Sequence, residues 1–166
     1  MSEQVERFEV QRTIPADPAT IFGVVSSPEG HVAIDASGML QSSSGEPAKA
    51  VGDTFVIHMD REALGDLPMG KYDVIVTITG YEQDRYISWE VSGKGFPSIG
   101  HWYGYRLEPV DGGTLVTSIY DWSAVQAEWK PEGVWPIIPE LALKATLGIL
   151  ERTVRARAEG QLTSAS

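Results

Sequence analysis

The sequence predicts an α+β domain: a curved antiparallel sheet wrapped round one long C-terminal helix, with two short helices after the first strand. Three observations predict it. Strand-like alternation dominates from Val5 to Trp122. An Asp-Gly pair, Asp111-Gly112, joins the last two alternating runs, the strongest short-range hairpin signal. The longest helical pattern, Pro139 to about Glu159, arrives only after the strands. A long helix in that position has one economical place to bury its apolar side, the concave face of the sheet. Such an arrangement is more readily a container for an apolar guest than a scaffold for a reaction.

Val5 to Ile14 sets Phe8, Val10 and Arg12 against Arg7, Glu9 and Gln11, the two-residue period of a strand. Asp17 then offers an N-cap, and Pro18 takes the first helical position, where its missing N–H costs nothing. Ile21, Phe22 and Val25 give this helix its apolar face, and Ser26-Ser27-Pro28 ends it. A second short helix is expected from Gly30 to Asp35, closed by Ser37-Gly38. Met39 to Ser43 is a short strand, followed by a polar loop to Val51. Thr54 to Asp60 is a strand with Phe55, Ile57 and Met59 on one face. Arg61 to Gly70 has no period and reads as a connecting loop. Tyr72, Val74, Val76 and Ile78 share one face of the clearest strand. After a turn at Asp84-Arg85, Ile87, Trp89 and Val91 share a face of the next. Gly93 to Gly100 is a loop, and His101 to Glu108 and Thr114 to Trp122 are the arms of the hairpin. The small, polar tail from Gln161 to Ser166 is expected to fray.

On a helical wheel the last helix shows two apolar stripes. Ile138, Leu141, Ala142, Ala145, Ile149 and Ala156 form one; Leu143, Leu147, Leu150 and Val154 form the other, with Thr146 and Thr153 between. Glu140, Lys144, Glu151 and Arg155 fill the remaining arc as i,i+4 pairs. This width predicts a helix held on both flanks, with more than half its circumference hidden.

Composition narrows the function. A chain of 166 residues suits a single domain, 1–166, with a core that needs no staples. It has no cysteine, which excludes disulfides and thiolate zinc sites and fits a cytoplasmic location. Acidic residues outnumber basic ones by 23 to 13, and no basic cluster exists, so nucleic acid is not an expected partner. No apolar run reaches membrane-spanning length, and Met1 to Val10 reads as neither a signal peptide nor an anchor. No Gly-rich phosphate loop follows a strand, so no cofactor is expected. No Gly-x-Ser-x-Gly elbow supports a hydrolase nucleophile. His58 with Asp60, and His31 with Asp35, each offer two metal ligands where three are needed, so no metal is expected.

Strand, two short helices, a string of antiparallel strands and a long helix is the helix-grip order. With it come Thr13 to Phe22 (TIPADPATIF), His31 with Ile34 to Gly38 (IDASG), Tyr81 to Trp89 (YEQDRYISW), and Gly113 to Thr117 (GTLVT) running on to Asp121-Trp122-Ser123. On these segments the chain, over nearly its whole length, resembles the SRPBCC superfamily (START-like, polyketide cyclase/dehydrase-type), in a branch of actinobacterial character. The resemblance implies a seven-stranded antiparallel sheet gripping the C-terminal helix, with a cavity between them. It implies binding of lipids, sterols, polyketides, plant hormones or other apolar molecules, with a minority of members catalysing cyclisation or hydrolysis. It supplies no universal catalytic set, and none is carried over.

The expected pocket walls are Phe55, Ile57, Met59, Val74, Val76, Trp89, Tyr103, Tyr105, Tyr120 and Trp122, over a floor at Leu141, Ala145 and Ile149. The loop Arg61 to Gly70 would be a mobile entrance. His101, Tyr103 and Tyr105 alternate with Leu107, which turns this row inward and offers an imidazole and two phenols to orient a carbonyl or move a proton. The same row also reads as an ordinary core wall, and the opposite register would turn in Trp102, Gly104 and Arg106 instead. Asp121 falls outside if Tyr120 and Trp122 point in; facing His101 it would complete an acid/base pair. Trp129, Pro131, Trp135, Pro136 and Pro139 read as a stiff linker, a cavity lid or a surface for homodimerisation. The expected activity is thus binding of a small hydrophobic or amphipathic molecule. The alternative is a cyclase or dehydratase using His101 and a cavity tyrosine.

Overall fold

The computed structural model describes residues 5–62, 70–93, 97–130 and 135–164. Its strands are β1 (Arg7–Ile14), β2 (Leu40–Ser44), β3 (Thr54–Asp60), β4 (Lys71–Glu82), β5 (Tyr86–Gly93), β6 (Trp102–Val110) and β7 (Gly113–Asp121). They form one seven-stranded sheet in the order β1-β7-β6-β5-β4-β3-β2, with every described pairing antiparallel. Two short helices, α1 (Pro18–Val25) and α2 (Pro28–Ala33), follow β1, and a long helix, α3 (Glu140–Ser164), closes the fold. This is the α+β helix-grip architecture that the element order predicts.

Local chemistry sets the boundaries. The Asp17 carboxylate accepts the Thr20 N–H at 2.7 Å and starts α1 with Pro18 in its first turn. The second helix begins at Pro28, earlier than expected, because Ser27 accepts the Gly30 N–H at 3.1 Å. The Ser-Pro pair that ends one helix therefore also caps the next. The last helix runs to Ser164.

Strand register settles which rows face inward. Tyr103 lies opposite Tyr120, Tyr105 opposite Ser118 and Leu107 opposite Val116. Trp89 faces Tyr103 across β5 and β6, and Ile57 faces Val74 across β3 and β4. These rows join the hydrophobic core with Ile21, Phe22 and Val25 of α1. The opposite row of β6 points outward. There a Cβ on Gly104 would sit 3.1 Å from the Ile87 carbonyl oxygen and 3.3 Å from the Trp102 ring, so a larger residue would crowd both. The Arg7 guanidinium stands 5.3 Å from the Trp102 ring, a cation–π contact.

The long helix buries its leucine stripe fully, and its second stripe, expected to be held as well, is covered only in part. Leu143, Leu147, Leu150 and Val154 are buried against α1, β1 and β7, each contributing about 1.5–3 kcal/mol. Arg12, on the inner row of β1, reaches Glu151 of the helix at 3.2 Å. Leu141 is 76% exposed, and Ala145 and Ala156 face solvent. Ala and Leu are the strongest helix formers, so their presence on a helix face signals propensity as readily as burial.

Candidate functional site

The site is built on an aromatic chain across the concave face. Phe55 of β3 meets the His31 ring at 5.1 Å, and His31 meets Trp89 at 4.6 Å. Trp89 stacks on Tyr103 at 5.7 Å, Tyr103 lies 4.8 Å from Tyr120, and Tyr120 continues to Trp122 and Phe8. Strand alternation places these rings in one row, and direct cross-strand pairing brings neighbours within contact range.

His101 enters this row from the loop before β6. Gly100 makes the bend: its φ is +107°, and a Cβ there would lie 2.5 Å from the Ala124 carbonyl oxygen. The His101 ring is buried, with Nδ1 2.8 Å from the Tyr120 hydroxyl and the ring edge-on to Trp135 at 5.1 Å. Burial lowers the His101 pKa from its ordinary 6.5 to about 4. Burial also pushes the Tyr120, Tyr103 and Tyr105 hydroxyls up from their ordinary 10, with the neighbouring Tyr103 adding to the effect at Tyr120. Tyr120 therefore keeps its proton and the His101 ring stays neutral, and the two share one hydrogen bond whose direction follows the ring tautomer. The Ile137 backbone satisfies the other side of the Tyr120 hydroxyl.

The predicted wall divides into a sealed part and an accessible part. Phe55, Ile57, Val76, Tyr120 and Trp122 are at most 3% exposed, and Val74, Trp89 and Tyr105 are also buried, so all of these are packed core. Met59, Tyr103 and Ile149 keep accessible surface while packing on the core. Tyr72, Val91, Trp135 and Ile138 join them, and sequence reading placed none of these four in the pocket wall. The row of α3 beside its buried face is Ala142, Thr146 and Ile149, all half-buried. Leu141 and Ala145 are thus misplaced as a floor: they sit about a quarter-turn further round the helix, toward solvent. The expected entrance loop lies mostly outside the described residues, at 63–69, as do Pro131 and the Trp129 side chain.

The remaining candidates separate. Asp121 is on the outer face, 3.3 Å from Arg7 Nη1, and accepts the Ser123 N–H and hydroxyl, so it does not face His101. Arg106 is also outside, 3.5 Å from Glu9. His31 Nε2 is bonded to the Val25 carbonyl at 2.7 Å, while Asp35 accepts from the backbone of Ser37, Gly38 and Leu40, so the two do not converge. His58 is on the convex face between Ser44 at 2.9 Å and Asp73 at 2.7 Å. Among the described residues no group of three or more His, Cys, Asp or Glu is placed to hold a metal ion, and no helix is long and apolar enough to cross a membrane.

Over residues 5–159 the sequence matches the family described as polyketide cyclase / dehydrase and lipid transport. The chain belongs to that family. The fold recurs in solved structures at low identity. Protein NE0264 from Nitrosomonas europaea superposes with a TM-score of 0.66 at 13% identity, covering 92% of this chain and 96% of that one. Protein CV1439 from Chromobacterium violaceum gives 0.64 at 15% identity, with 90% and 97% covered. The Aha1 dimer from Colwellia psychrerythraea gives 0.57 at 18% identity, with 89% and 95% covered. No curated protein matches the sequence. Membership of the SRPBCC superfamily is therefore shown by the family match, and the structural neighbours share the fold.

Proposed function

We propose that this protein binds a small hydrophobic or amphipathic molecule, of lipid or polyketide type, at the accessible end of the concave face, as a cytoplasmic carrier or sequestering protein. One observation carries the reading. Met59, Tyr72, Tyr103, Trp135, Ile138 and Ile149 pack on the core and yet keep accessible surface, and two of them, Tyr103 and Trp135, touch the buried His101 ring. Burying that surface under a guest is worth about 25 cal/mol per Å², and one or two polar groups then fix its orientation. The His101–Tyr120 pair supplies such a group at the head of β6.

The same pair weighs against the cyclase or dehydratase reading. A base whose conjugate acid has a pKa of about 4 is weak, and phenols pushed above their ordinary value are weak acids. General acid–base catalysis works best when the catalytic pKa lies near the working pH. The pair therefore suits a hydrogen bond to a guest's carbonyl or hydroxyl better than proton transfer. Self-association is a second component of the proposal. Ile137 and Leu141 are exposed, and the Colwellia relative is described as a dimer.

Native mass spectrometry of freshly purified protein tests the binding reading. A co-purified apolar molecule is expected, together with saturable binding of 1-anilinonaphthalene-8-sulfonate that Ile149→Trp abolishes in a folded variant. Protein that carries no guest and binds the dye equally well with Trp at 149 would rule the site out. Sedimentation at high concentration reads the oligomeric state separately.

A further inference from the structure

We propose that Ser44, His58 and Asp73 form a second site, on the convex face, that hydrolyses activated esters through an acyl-serine. The three side chains come from three adjacent strands. Ser44 ends β2, His58 lies within β3 and Asp73 lies in β4, directly opposite His58 in register. Asp73 Oδ1 is 2.7 Å from His58 Nδ1, and His58 Nε2 is 2.9 Å from Ser44 Oγ.

The polarity of this line follows from its chemistry. A carboxylate only accepts, so in the neutral ring Nδ1 carries the proton and donates it to Asp73. Nε2 is then an acceptor, and the hydroxyl bonded to it must be the donor. Ser44 therefore points its proton at a base that a third group orients, the constellation in which serine becomes a nucleophile. Nothing in the concave site uses these residues, and the inference is independent of the binding proposal.

The surroundings leave room for a substrate. Ser44 is exposed just outside an open depression of about 540 Å³ that His58 and Asp73 line with Gln41, Ser42, Met59, Asp60, Lys71 and Tyr72. Asp60, Lys71 and Asp73 are the charged groups of that lining. In the reaction Ser44 Oγ bonds to the ester carbonyl carbon while His58 Nε2 takes the hydroxyl proton. The carbon–oxygen bond to the leaving group breaks, and His58 returns the proton to that oxygen. Water, deprotonated by His58, then attacks the acyl-serine, which releases the carboxylic acid and restores the hydroxyl. The absence of a Gly-x-Ser-x-Gly elbow is no obstacle, because the triad is defined by geometry and not by chain order.

The test uses the full chain and p-nitrophenyl acetate. Release of p-nitrophenolate is followed alongside peptide mapping for an acetyl group. Acetyl-Ser44 is expected in the wild type. Ser44→Ala and His58→Asn are each expected to slow release on the order of a hundredfold, the usual reach of general-base assistance. Asp73 is a positioning residue: Asp73→Asn should slow acylation and Asp73→Glu should restore part of it, a rescue that a purely structural role would not give. Circular dichroism of each variant confirms the fold. Acetylation confined to lysines or to His58, or a Ser44→Ala variant that keeps the wild-type rate, overturns the proposal.

Discussion

The concave and convex faces of this sheet each hold a histidine bonded to a hydroxyl, and the two differ in almost everything else. His101 is buried at the head of β6, bonded to Tyr120 and walled by Trp135 and Tyr103. His58 stands in the middle of β3 with 39% of its side chain exposed, between a serine and a carboxylate. Inside, burial keeps the ring neutral and its hydrogen bond to Tyr120 holds it in place. Outside, the carboxylate sets the ring's orientation and the serine stays open to solvent. A histidine's chemistry here is set by the face of the strand it lands on, and a shift of one residue in register would exchange the two roles.

Acid should separate the faces most strongly. His101 and the equally buried His31 have pKa values lowered to about 4 from an ordinary 6.5. Between those values the unfolded chain binds more protons than the folded one, so stability rises with pH and is lost as pH falls from about 6.5 toward 4. Each tenfold in proton affinity is worth about 1.4 kcal/mol, so the two rings together should cost on the order of 5 kcal/mol between pH 7 and pH 4. Urea unfolding at a series of pH values measures this, and a double replacement by phenylalanine should flatten the slope. A slope unchanged in that double variant would mean that the acid sensitivity comes from carboxylates instead.

Substitutions come next in size. Tyr120→Ala removes a fully buried aromatic side chain and should cost about 3–5 kcal/mol in chemical denaturation. Tyr120→Phe keeps the ring and removes only the hydroxyl, leaving His101 Nδ1 without its partner; about 1–3 kcal/mol should follow. A Phe variant as unstable as the Ala variant would show that the hydroxyl, not the ring, holds the wall together.

The strands were legible because one side of each is buried. Alternation in Tyr72 to Ile78 was enough to orient β4, whereas in β6 Leu107 only favoured the row of His101, Tyr103 and Tyr105 over that of Trp102, Gly104 and Arg106, and the strand pairing decides between them. The helix was less legible. Its two stripes are equally apolar in sequence, and only the packing against α1, β1 and β7 shows that the leucine stripe is the buried one. This is why Leu141 and Ala145 were misassigned while Ile149 stayed at the edge of the core. The Ser44–His58–Asp73 line was beyond sequence reading for a different reason. His58 and Asp73 meet through the β3–β4 pairing, and Ser44 reaches them across a β2–β3 pair whose register shifts between Leu40 and Ser42. A local pattern carries no information about such an offset.

The smallest expected effect bears most directly on the convex face. His58→Ala removes a half-exposed ring and its exposed hydrogen bonds to Ser44 and Asp73, so stability should change by less than about 1 kcal/mol. A structural role for the ladder predicts otherwise. If Ser44, His58 and Asp73 chiefly pin β2 to the sheet, losing the central ring should release that edge strand, and hydrogen exchange at Ser42 to Ser44 should accelerate together with a larger loss of stability. An unchanged exchange pattern alongside a small stability change would leave the three residues free of structural duty. Polar groups kept at hydrogen-bonding distance without contributing to stability are what a site arranged for chemistry would display.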